Sequence, residues 1–166
     1  MQSSYGWVLY LHIGSVLGFL FMHGPTAAAA FAMRRTRDSG RLEALVDISK
    51  FWVRASFVFL FLILVSGIML GFMGNWWRQG WIWLSTIIFF TILVLMHVRG
   101  TRKFYGVRQA LGQEYLRGFN TVHGTGVLAE PDELDQRLRA IRPWELTLTS
   151  VILLAIVLAL MVFKPF

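Results

Sequence analysis

The chain has 166 residues, of which 56% are hydrophobic and 15% charged, and a formal net charge of +7. A water-soluble domain of this size cannot cover so large an apolar fraction with polar surface, so the composition predicts a membrane protein. With no cysteine, disulfides, thioether-attached haem and iron–sulfur ligation are excluded.

Four apolar runs, residues 5–33, 51–73, 81–98 and 144–163, are long enough to cross about 30 Å of hydrocarbon as helices. They predict an all-α fold: one domain, a four-helix transmembrane bundle of up-down topology, with long loops at 34–50 and 99–143. The first run carries no Asp, Glu, Lys or Arg between Tyr5 and Met33, yet it holds His12 and His23. Eleven residues at about 100° each return to within about 20° of the starting direction, so both imidazoles share a helix face, roughly 16 Å apart along its axis. From Trp7, suited to the outer interface, to Arg34 is about 40 Å of helix, which must tilt, kink at Pro25 or extend beyond the membrane. Its length reads as a span rather than a cleaved signal peptide.

Asp38 or Ser39 offers an N-cap for a helix running through Leu42, Leu45 and Ile48 into the second span. Glu43 and Asp47 on this extension are expected to pair with Lys50, Arg54 or loop arginines, and Arg54 can snorkel to the headgroups. Between the second and third spans, Trp76, Trp77, Trp81 and Trp83 form an aromatic belt, with a quinone-type pocket as the alternative. The third span ends with His97 close to Arg99. In the loop that follows, Thr101 to Leu116 has helix formers, Gly118 to Gly126 is a flexible interruption containing His123, and Pro131 opens a short helix before the fourth span starts after Pro143. His123-Gly124-Thr125-Gly126 is too short for a phosphate loop.

Basic residues concentrate in the two long loops, whereas the opposite side holds only Arg78 and Lys164. The positive-inside rule then predicts a multi-pass protein of a bacterial inner membrane with both termini outside. Attraction to anionic inner-leaflet lipid explains the basic balance, and no nucleic-acid partner is expected.

No catalytic constellation is present, so no enzyme is expected. What remains is His12, His23 and His97 in a helical bundle, where facing helices hold cofactors and imidazole is an axial ligand of haem iron. His23 is sixteen residues below Trp7 and His97 sixteen below Trp81, about 24 Å in each case. These two are therefore expected at one level on parallel helices. His12 has no histidine at its depth and would need Met69, Met73, Met161 or a second protomer. His23 and His12 are the candidate metal ligands. An intramembrane histidine can instead hydrogen-bond a neighbouring hydroxyl, with Ser66, Ser85, Thr86 and Thr91 available, and His97 near the inner end is more simply explained that way. Met22, Met33 and Met96 read as packing residues. Gly14 with Gly18, and Gly67 with Gly71, form small-residue pairs that let backbones approach; the first pair is expected to leave a face free for another helix.

Leu11-His12-Ile13-Gly14 through Met22-His23-Gly24, then Val65-Ser66-Gly67-Ile68-Met69-Leu70-Gly71-Phe72, then Gly80-Trp81-Ile82-Trp83 together resemble a family of bacterial predicted integral membrane proteins of unknown function, distantly similar to the membrane domain of the copper-resistance protein CopD. The resemblance covers roughly residues 8 to 115. It implies a four-helix membrane fold with His12 and His23 at the family's histidine positions; His97 matches none. The expected function is a small haem b-binding protein or haem-bearing subunit of an electron-transfer complex. The alternatives are a cofactor-free accessory subunit of a larger membrane complex or homodimer, and a copper or small-solute transport component.

Overall fold

The computed structural model describes residues 2–117 and 120–165. Two long helices open the chain, α1 (Gln2–Arg35) and α2 (Ser39–Met73). A short 3-10 turn (Trp76–Arg78) leads to α3 (Gly80–Leu95), which passes through a π-helical segment (Met96–Thr101) into α4 (Arg102–Ala110). The strands β1 (Tyr115–Arg117) and β2 (Asn120–Val122) pair antiparallel with Leu116 opposite Thr121. The helices α5 (Pro131–Arg139) and α6 (Pro143–Phe163) complete the chain. Four of these helical stretches are long and apolar enough to cross a membrane, and the fold is an all-α bundle.

The chain reverses between α1 and α2 in three residues. The Asp38 carboxylate accepts from the Arg41 N–H at 2.7 Å and so caps α2, satisfying one of the donors a helix start leaves orphaned. At about 1.5 Å per residue, α1 and α2 are each roughly 50 Å long, against about 30 Å of hydrocarbon. Pro25 lies inside α1 without ending it. The surplus length forms a second packed layer beyond the membrane-crossing part. There Met33 of α1, Leu42 and Val46 of α2, Val107 of α4, Leu138 of α5 and Ile141 make the most completely buried core of the molecule. Midway, Phe19, Leu60, Ile63, Ile92 and Met96 pack together with Leu153, so α1, α2, α3 and α6 share one core.

Both termini lie at the end of the bundle that carries the tryptophan turn. Tyr5 meets Trp76 edge to face at 6.2 Å, and the Lys164 ammonium stands 4.1 Å from the centre of the Trp76 ring. Trp81 is buried beside Ile82 and Leu160, while Trp83 is exposed. The tryptophans therefore close and rim the terminal end of the bundle. At the opposite, loop end, Asp135 accepts from both Arg37 and Arg139. Partial burial works against its ionisation, but the two guanidiniums outweigh this and hold its carboxyl below the ordinary range.

Two expectations change. Leu111 to Leu116 does not continue the helix: Gly112 has a positive φ of 69°, which ends it, and the β1–β2 hairpin stands where a flexible interruption was expected; Gly118 and Phe119 lie outside the described residues. Nor does the glycine pair of α1 leave an open face as a unit. A Cβ on Gly18 would overlap the Phe59 ring of α2, while Gly14 has open space around it. On α2, a Cβ on Gly67 would stand 3.3 Å from His12 Cε1, and one on Gly71 would stand 2.9 Å from the Trp77 ring. Three of the four glycines thus serve the packing of this chain against itself.

Candidate intramembrane histidine site

His12 is buried at 6% exposure, against α2. Its Nδ1 lies 2.9 Å from Ser66 Oγ, and Ser66 Oγ donates its single proton to the Leu62 carbonyl at 2.5 Å. A hydroxyl whose proton is committed can only accept, so the imidazole proton is on Nδ1 and the lone pair on Nε2. The glycine at position 67 makes this possible, because its missing side chain leaves the space the ring edge fills. The methionines Met69 and Met73 are both exposed, and Met161 packs with the Trp81, Ile82 and Leu160 cluster. Of the partners the sequence offers, His12 takes the serine.

His23 stands eleven residues further along α1, on the same face. Phe19, one turn before it, stacks on its ring with centroids 5.4 Å apart and planes 20° from parallel. Its Nδ1 is buried and has no hydrogen-bond partner. The ring lines a cavity of about 40 Å³ enclosed by Thr26, Ala27 and Ala30 of α1, Val53 and Ser56 of α2, Met96, Gly100 and Thr101 of the π segment, Phe104 of α4, and Pro143 and Thr147 of α6. Thr147 Oγ1 is a second buried polar atom without a partner on the same cavity. Buried polar atoms are nearly always paired, and two unpartnered ones here belong to residues that line the same cavity.

His97 is at the expected depth but points elsewhere. Its neighbour Met96 is buried and lines the His23 cavity, whereas His97 is exposed and does not. Successive residues of a helix point about 100° apart, so the level that His23 and His97 share does not bring their rings together. The π segment begins at Met96, and single-turn π segments cluster at functional positions. Met96, which reads in the sequence as a packing residue, is the side chain the third span presents at the His23 level. His123 is exposed and lies 3.1 Å from Glu114, as a loop histidine does.

Among the described residues no three His, Asp or Glu side chains gather to hold a metal ion, so any metal at this level must draw on sulfur, hydroxyl or carbonyl donors beside a single imidazole. No family model, curated protein or solved structure matches the chain, and the site stands on its own geometry.

Proposed function

We propose that this membrane protein binds haem b, alone or as the haem-bearing subunit of an electron-transfer complex, with His23 and Met96 as the residues that would hold the iron. The observation that carries the reading is the unpartnered, buried Nδ1 of His23 beside a cavity that Met96 also lines. Imidazole and thioether form a known axial pair for haem iron, and when bound the haem supplies one-electron transfer. The donor set and the small wall residues Ala27, Ala30, Ser56 and Gly100 suit a flat cofactor. The room is small: about 40 Å³ is far below the roughly 300–1,000 Å³ of ligand pockets, so a macrocycle would enter only with the helices further apart than they stand here.

That same volume favours a second reading, a single copper(I)-class ion held by the imidazole and the thioether, for which both are suitable donors. In either case the loop end faces the cytoplasm of a bacterial inner membrane, supported by the concentration of Lys and Arg in the two long loops. Electron donor and acceptor would come from a larger complex or a second copy.

Iron, copper and extractable haem measured on protein purified from haem-replete and copper-replete cells separate the readings. Iron equimolar with haem supports the first, and copper without haem supports the second. A folded protein with neither contradicts both and returns the site to a water-filled or purely structural cavity in an accessory subunit.

A further inference from the structure

A second cavity, about 200 Å³ and thus about five times the first, lies against the loop end of the same helices. Its wall is assembled from matching stripes. On α2, Val46, Ser49, Lys50, Val53 and Arg54 recur at helical spacing, and Thr101, Phe104, Tyr105 and Arg108 do the same along the π segment and α4. Glu114, Tyr115 of β1 and Thr121 of β2 close the side, so the hairpin acts as a cover.

Three cations face one carboxylate in this wall. Arg108 is 7% exposed, and its Nη2 donates to the Val46 carbonyl at 3.1 Å and to Asp47 at 2.8 Å, which fixes it in place. Glu114 is engaged with His123. Lys50 and Arg54, one turn apart, have no ion-pair partner among the described residues. Tyr105 is within electrostatic reach of both Arg54 and Arg108. Ammonium, guanidinium, phenol and hydroxyl donors converging on one space match an oxyanion with several acceptor oxygens. The position matches too, since the apolar run of α2 begins at Phe51, between Lys50 and Arg54, at the level where headgroups meet hydrocarbon.

We propose that this cavity is a phosphate-binding site, taking either the headgroup phosphate of an anionic membrane lipid or a soluble phosphate ester, with Lys50 and Arg54 as the charge-neutralising residues and Arg108 as a fixed wall. The site shares Val53, Thr101 and Phe104 with the His23 cavity, but Lys50, Arg54 and Arg108 line only this one. It differs from the general attraction of basic loops to anionic lipid in being stoichiometric and residue-specific.

Native mass spectrometry of the full chain, delipidated in mild detergent, tests it with three probes: phosphatidylglycerol, phosphatidylcholine and inorganic phosphate. The expected result is one phosphatidylglycerol, or one inorganic phosphate, per chain, and phosphatidylcholine bound at least about tenfold more weakly. The Lys50→Gln/Arg54→Gln protein should bind about thirtyfold more weakly, because both cations that neutralise the phosphate are gone. Arg34→Gln/Arg35→Gln, which removes the same charge elsewhere, should stay within about twofold. Saturation by phosphatidylglycerol alone assigns a lipid; competition by inorganic phosphate assigns a soluble ester. Equal weakening in the two double variants, or no binding of either anionic probe, would overturn the proposal. Unchanged circular dichroism and melting of both variants keep the comparison interpretable.

Discussion

Removing the Ser66 hydroxyl with Ser66→Ala isolates the polar contact that joins α1 to α2 at His12, inside the membrane. The hydroxyl is fully buried and already bonded to Leu62, so what is removed is the acceptor for the His12 Nδ1 proton at 2.9 Å. The Leu62 carbonyl keeps its helical partner, the backbone N–H of residue 66. The imidazole then keeps the Ile63 backbone carbonyl as its remaining polar neighbour. Interhelical hydrogen bonds in membranes are worth about 0.6 kcal/mol on average and about 1.7 at most, and the burial of both partners places this one near the upper end, about 1–1.5 kcal/mol. Reversible unfolding in mixed detergent micelles, followed by circular dichroism, measures the destabilisation. A double-mutant cycle with His12→Ala, whose own cost includes a cavity of about 2–4 kcal/mol, should return a coupling of about 1 kcal/mol. A coupling below about 0.3 kcal/mol would refute the assignment of the Nδ1 proton to Ser66.

Further outcomes follow from the packing and the charges. Gly18→Ala should destabilise the α1–α2 pair by about 1–3 kcal/mol through overlap with Phe59, measured by the same unfolding assay, and Phe59→Ala in the same chain should recover part of it; Gly14→Ala, with open space, should be close to neutral. The carboxyl of Asp135 is held below its ordinary pKa by Arg37 and Arg139, so its stabilisation is full above that ordinary value and disappears as the pH falls through the depressed folded value. The stability difference between the native chain and Asp135→Asn should therefore be present at neutral pH and shrink as the pH falls below the ordinary carboxylate range; a difference that does not fall with pH would contradict the pairing. Met96→Leu should preserve the fold while lowering the reduction potential of any His23-bound haem, since a thioether ligand raises it; potentiometric titration reads the shift, and an unchanged potential would remove Met96 from the ligand set.

The spans and their connections are legible in the sequence for physical reasons. Hydrocarbon thickness fixes the apolar run length, Asp38 marks the start of α2 because an orphaned helix start needs an acceptor, and Pro131 suits the first turn of α5. That His23 and the third span's residues near position 97 share a level is legible too, because rise per residue is constant and Met96 lines the His23 cavity. Direction is not. Whether His97 or Met96 faces inward depends on rotation about the helix axis and on the π segment, neither of which residue counting from Trp81 can supply. The hairpin escapes because strands of three residues carry no alternation to read. The glycine pairs show that backbones approach closely but not which ring fills the space. The wall of the second cavity leaves a trace in the sequence: the stripe of Ser49, Lys50, Val53 and Arg54 and the stripe of Thr101, Phe104, Tyr105 and Arg108 share helical spacing. The partnering of those stripes is a tertiary fact.

The central claim, that His23 ligates a haem iron, is tested most directly by a dithionite-reduced minus oxidised visible spectrum of the purified native chain beside His23→Ala. A sharp alpha band and a shifted Soret band are expected in the native protein, both absent from a His23→Ala protein of unchanged helicity. A folded, colourless native protein from haem-replete cells, or bands of equal intensity in His23→Ala, would contradict it.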